Sequence, residues 1–227
     1  SYATDTLVDA AGRPAGIVIA NRSGRQAVIA KVIIDATPEA AVAQHAGARR
    51  HPWTGGPVEL RRVVLRHAPA AEEGVRLRVE LPREKQTYFV YALTKNLPDT
   101  SFRSLMEAEH AMRDATHRPG QARGSARVTF IPPDPIVARR PADAWKNFES
   151  MVIGHFLPQG VDRIFVLGAR ADIPRAAAER LMSPVVSERV GRFIGSTAAR
   201  EAAKLPAPAG VRLPGTSANA VAIGDAR

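Results

Sequence analysis

The chain has 227 residues, 45% of them apolar, enough to bury a core as one large domain or two small ones. It contains no cysteine, which excludes disulfide staples, thiolate nucleophiles and Cys-built zinc sites and leaves the compartment open. Its net charge of +10 raises nucleic acid as a partner, but the arginines are single or paired (Arg49-Arg50, Arg61-Arg62, Arg139-Arg140) and only 5% of residues are aromatic. There is no basic tail and no lysine-rich block, so the charge reads as solvated surface, with a local site for phosphate or an acidic substrate as the lesser reading. No run approaches the roughly 18 apolar residues of a membrane span.

In chain order, Thr6 to Asp9 reads as a strand, Ala10-Ala11-Gly12-Arg13 as a turn and Gly16 to Ala20 as a second strand. Asn21-Arg22-Ser23-Gly24 is a hairpin signal, with Gly24 supplying the positive φ. Gln26 to Asp35 follows, and its continuous run Val32-Ile33-Ile34 predicts a strand covered on both faces, as in a parallel sheet. Thr37-Pro38-Glu39 predicts a helix start: a capping hydroxyl, a proline in the first position and an acid in the first turn. Gly47 is the expected stop.

The pattern then changes. Val58-Leu60-Arg62-Val64 and Val75-Leu77-Val79-Leu81 alternate with polar residues, and Thr87 to Leu93 makes a third strand, so an antiparallel, half-buried sheet is expected. Asp99-Thr100-Ser101 can cap a helix to about Thr116, with Phe102, Leu105, Met106 and Met112 as its apolar stripe. Pro119 to Ser125 reads as a loop, Arg127 to Ile131 as a strand and the proline-rich 132–145 as an irregular connection. Ile164 to Leu167 is another buried-strand run, and a helix is expected from Pro174 to Met182, ended or kinked by Pro184. A last helix spans Val185 to Lys204, with Val186, Val190, Phe193 and Thr197 on one stripe and Gly191, Gly195 and Ala199 on another. Two interior glycines on one face suggest close approach by another backbone or a ligand, though helix packing is the commoner reason.

Two strand-to-loop segments carry a resemblance. Ala30 to Thr37, preceded by the Val18–Gln26 hairpin, resembles the part of glutathione-reductase-type flavoproteins in which a meander feeds a strand ending in an Ala-Thr-Gly turn. Ile164 to Pro174 resembles the late motif in which a strand delivers an acid toward the ribityl chain of the flavin, with a helix N-terminus facing the cofactor. The resemblance implies a partial FAD-binding α/β domain with an inserted, mainly antiparallel substrate domain, mixed α+β by content. Its expected divisions are 1–48 (meander and strand-turn-helix), 49–160 (substrate side), 161–204 (returning strand and helices) and 205–227 (irregular tail).

It further implies FAD as cofactor, hydride transfer with a small-molecule substrate, and cofactor contacts from Asp35, Ala36, Thr37, Gly168, Ala169, Asp172 and Arg175. Each has a plainer reading: Asp35 and Thr37 as turn and cap, Asp172 as a cap, Arg170 and Arg175 as ion-pairing arginines. Pro38 stands where the family has glycine, and no Gly-x-Gly-x-x-Gly follows a strand anywhere. The expectation is therefore an internal fragment, its dinucleotide-binding segment lying before Ser1; the alternative is a non-catalytic binding module derived from the same fold. The six histidines show no metal-ligand spacing, so no metal is expected, and His155 is the one histidine singled out for acid–base work.

Overall fold

The computed structural model describes residues 2–66, 74–82, 87–117 and 128–216. It mixes helices and strands and divides into two compact units, one of Ser1–His51 with Pro135–Arg227 and the other of Pro52–Asp134.

The first unit begins with an antiparallel meander of β1 (Tyr2–Val8), β2 (Pro14–Asn21) and β3 (Gly24–Ile29). Asp9 shapes the first turn: its carboxylate accepts from the backbone N–H of Ala11 at 2.9 Å and of Arg13 at 3.0 Å. Gly24 has φ 98°, as the hairpin requires. At Gly16 a side chain has no room, because a Cβ there would lie 2.3 Å from the Val28 carbonyl oxygen of β3.

The expected strand Gln26–Asp35 is two elements. The chain leaves the meander after Ile29, and β4 (Ile33–Asp35) pairs instead in parallel with β9 (Ile164–Val166). The Ile33 N–H donates to the Arg163 carbonyl and the Leu167 N–H to the Asp35 carbonyl, both at 2.8 Å. All three residues of β9 are buried, as a doubly covered strand should be. β4 departs from that expectation, since Ile34 is 40% exposed between buried Ile33 and Asp35.

The helix expected from Pro38 starts later and is short: α1 is Ala41–His45. Asp35 captures the Thr37 N–H and hydroxyl, and the Ala40 N–H turns back to the Thr37 carbonyl with Ala40 at φ 50°, so Pro38 and Glu39 lie in a turn. Gly47 does end the helix. It has φ 92°, its N–H reaches the Gln44 carbonyl, and the Ala48 N–H reaches that of Ala43, the paired closure of a Schellman cap.

After β9, α3 (Arg175–Leu181) and α4 (Pro184–Lys204) follow. Pro184 opens α4, where its missing N–H costs nothing. The buried stripe of α4 is Val190, Ile194 and Ala198, displaced from the Val186–Val190–Phe193–Thr197 stripe read from the sequence. Gly191 would bring a Cβ to an ordinary 3.6 Å from Leu167, and at Gly195 nothing lies within 4 Å, so neither marks a close backbone approach among the described residues. The tail is not wholly loose: Val8 and Arg212 exchange both backbone hydrogen bonds at 2.9 Å.

The second unit is a four-stranded antiparallel sheet of order β6-β7-β5-β8, from β5 (Gly56–Arg66), β6 (Val75–Pro82), β7 (Thr87–Leu97) and β8 (Val128–Phe130), with α2 (Phe102–Thr116) on one face. Val58, Leu60 and Val64 of β5, Phe89 and Tyr91 of β7, and Ala108 and Met112 of α2 share one core. Ser101 caps α2 by accepting from the Ser104 N–H at 3.3 Å. The buried stripe of α2 is Ser104, Ala108, Met112 and Thr116; Phe102, expected on it, is 80% exposed. Buried Arg62 replaces an apolar residue in the β5 pattern and donates to the Thr116 hydroxyl at 2.8 Å. The even alternation expected of β6 is broken by a bulge between Leu77 and Val79. The expected loop Pro119–Ser125 lies outside the described residues.

Candidate functional site

The parallel pairing of β4 with β9 sets two turns side by side at the C-terminal edge of both strands. One carries Asp35-Ala36-Thr37, the other Gly168 to Asp172, and a Cβ on Gly168 would stand 3.8 Å from the Thr37 carbonyl. Of the small residues here, Ala36 is exposed and Gly168 half-buried, while Ala169 is buried.

The polar side chains of the two turns are already paired. Asp35 is buried, and its carboxylate accepts from the Thr37 N–H at 3.0 Å, the Thr37 hydroxyl at 2.6 Å and the Ala43 N–H at 2.9 Å. The Thr37 oxygen in turn accepts from the Ala41 N–H at 2.8 Å, tying the turn to α1. Asp172 is equally buried, and one of its carboxylate oxygens meets His51 Nε2 at 2.9 Å and the Ala138 N–H at 3.0 Å. Arg175, at the start of α3, folds back and donates to the carbonyls of Ala169, Ala171 and Ile173 at 2.6–2.7 Å. Buried Arg170 donates through Nε to Glu39 at 3.0 Å and through a second nitrogen at 2.5 Å. The first turn is therefore cross-linked to the second by an arginine on one and a carboxylate on the other.

His155 lies beneath the second turn. Its carbonyl and its ring join the Asp172 backbone: the Asp172 N–H donates to the His155 carbonyl at 3.2 Å, and ring Nδ1 is 3.2 Å from the Asp172 carbonyl. The ring packs edge-on against Trp145 at 5.2 Å. Burial pushes its pKa below the ordinary value, outweighing the hydrogen bonds to the Asp172 and Arg140 backbones. Among the described residues no group of three or more acids and histidines is placed to hold a metal ion.

No family model matches the chain, and no curated protein matches it. Solved structures do. AlpK is matched at a TM-score of 0.48 with 15% identity over 92% of this chain and 40% of its own. CabE, an aromatic hydroxylase from angucycline biosynthesis, is matched at 0.47 with 13% identity over 89% of this chain and 39% of its own. A triple mutant of the flavin-dependent brominase Bmp2 is matched at 0.44 with 12% identity over 90% and 52%. The likeness fixes no family. This chain spans about two-fifths of the length of AlpK and CabE.

The site holds residues that the sequence did not single out. His51 meets Asp172 from 121 positions away, and Glu39 meets Arg170 from 131. His51 had no ligand spacing and Glu39 read as a first-turn acid, so neither carried a local signal of its partner. Only Asp35 and Thr37, two residues apart, had a pairing that a strand-end Asx turn could have announced.

Proposed function

We propose that the chain is part of an FAD-dependent oxidoreductase acting on a small organic substrate, with the flavin nucleotide lying along the C-terminal edge of β4 and β9. The observation that supports this is the parallel pairing of those two strands, since ligands of open α/β sheets sit outside the carboxyl ends of parallel strands. It joins in space the two segments whose sequences resemble flavoproteins. The small residues Ala36, exposed, and Gly168, half-buried, fit a nucleotide that must come close to backbone.

The carboxylates fit differently from the resemblance. Asp35 and Asp172 spend oxygens on internal donors, so in this reading they hold the turns in shape while the turn backbone meets the cofactor. Arg175 keeps the second turn rigid by bridging its carbonyls. His155, buried against Trp145 and bonded to the Asp172 backbone, serves packing beneath that turn in preference to proton transfer. When bound, the flavin supplies the hydride acceptance that no side chain of this chain provides. The reading assigns the grip on the pyrophosphate to a glycine-rich segment outside this sequence.

A second reading, a binding module that keeps the fold without the chemistry, is favoured by the internal pairing of those same two carboxylates. The test is the visible spectrum of this chain, and of its longest natural form, after FAD is added and excess removed. Flavin retained in either, and lost in Gly168→Val, is the expected result. No retained flavin in both forms would overturn the oxidoreductase reading and leave the binding module.

A further inference from the structure

We propose that His51 is the proton acceptor of the candidate site and that Asp172 is its positioning residue. This rests on the flavin reading, because a substrate oxidised at the carbon of a hydroxyl or amine group releases a proton together with its hydride. The hydride leaves with the C–H electron pair for the flavin, the O–H or N–H proton goes to the imidazole, and a C=O or C=N bond remains.

The imidazole is held through backbone and side chain alike. The His51 N–H donates to the Pro135 carbonyl at 2.9 Å and the Val137 N–H to the Arg49 carbonyl at 2.8 Å, around an antiparallel bridge between Arg50 and Ile136. That pairing is fixed to the second turn, since the Ile136 N–H donates to the Arg170 carbonyl at 2.9 Å. The Asp172 carboxylate closes the circuit, one oxygen meeting both His51 Nε2 at 2.9 Å and the Ala138 N–H at 3.0 Å. The Asp172 backbone is itself joined to His155 at its N–H and at its carbonyl.

An ionised carboxylate only accepts, so the proton of the neutral His51 ring sits on Nε2 and the lone pair on Nδ1. Among the described residues no hydrogen bond engages that Nδ1. The His51 side chain is 39% exposed, while that of Asp172 is 2% exposed. Backbone donors and a neighbouring hydroxyl satisfy the buried carboxylate of Asp35. Asp172 instead holds an imidazole whose second nitrogen is left for a proton. A base oriented by a buried acid has its tautomer and its direction fixed before a substrate arrives. His155 has neither feature, being fully buried with its Nδ1 on a backbone carbonyl.

The test treats the flavin-free whole chain with diethyl pyrocarbonate, which acylates an unprotonated imidazole nitrogen, and follows each histidine by peptide mass spectrometry. Half-buried His51 is expected to react at least as fast as exposed His110. Asp172→Asn is expected to slow His51 about tenfold and leave His110 unchanged, because an amide N–H facing Nε2 moves the ring proton to Nδ1. Imidazole nitrogen NMR of the wild-type chain is a second readout that needs no variant, with the His51 proton expected on Nε2. An Nδ1–H ring, a wild-type His51 slower than His110 by about tenfold or more, or an unchanged His51 rate in a folded Asp172→Asn chain would each overturn the proposal. Flavin retention is measured separately. An inert His51 in a chain that keeps flavin overturns the base and spares the flavin reading. A reactive His51 where neither form of the chain keeps flavin overturns that reading, and the role of the base with it.

Discussion

Asp35 and Asp172 are the two residues on which the candidate site turns, and both owe their position to donors found only after folding. Asp35→Asn exchanges an acceptor for a donor facing three N–H or O–H groups, and is expected to cost about 1–3 kcal/mol, read from urea denaturation of the chain. His51→Ala, which strips buried Asp172 of its side-chain partner, is expected to cost a similar amount, about 1–3 kcal/mol by the same measurement. Two titrations work in the same direction on stability. Burial tends to raise the pKa of Asp9, but the hydrogen bonds and charge of Arg13 and the Ala11 N–H prevail and lower it from 3.8 to about 2. Its contribution is therefore complete above 3.8 and disappears as pH falls toward 2. Burial lowers the folded pKa of His155 below its unfolded value of 6.5, so its contribution is complete above 6.5 and declines as pH falls through the folded value. Thermal melts of the wild-type chain, Asp9→Asn and His155→Gln across pH 7 to 2 check both signs: each variant should flatten its own part of the profile.

At the scale of elements, three glycines separate three physical causes. Gly16→Ala drives a Cβ into the Val28 carbonyl and should be the most damaging, disrupting the β2–β3 pairing. Gly47→Ala meets no atom within 4 Å but must keep φ 92°, so it should cost about 1–2 kcal/mol of backbone strain. Gly195→Ala lies inside α4 with nothing near and should stabilise by about 0.5–1 kcal/mol. Melting temperatures in that order test the assignments, and a destabilised Gly195→Ala would show that something does press on that face. The sequence made two of these elements legible: Gly47 after a short helix, and Asn21 to Gly24 as a hairpin. It misplaced the α1 start because Thr37 looked like a cap for Pro38, while Asp35 draws Thr37 into a turn of its own. It misread β6 because a bulge leaves no mark in a two-residue alternation.

For the molecule as a whole, division into two units with separate cores predicts separable unfolding. Met112→Ala in the second unit and Phe165→Ala in the first each empty a fully buried position and should cost about 2–5 kcal/mol. Calorimetry should show each substitution lowering a different transition; a single transition moved equally by both would argue for one cooperative body.

The sequence by itself determined the local events: the meander, the hairpin, the buried run of β9, the antiparallel strands of the second unit, and the helices that begin beside Ser101, Pro174 and Pro184. These follow from residue period, turn chemistry and proline geometry, which act over a few positions. Only the tertiary structure decided that β4 pairs in parallel with β9, that Asp172 faces His51, that Glu39 holds Arg170, and that three arginines gather on Glu59. Apart from Arg61 with Glu59, two residues apart on β5, such pairings join residues far apart along the chain or across several strands, and their energies depend on burial and register. Neither is written in the spacing of residues along one segment.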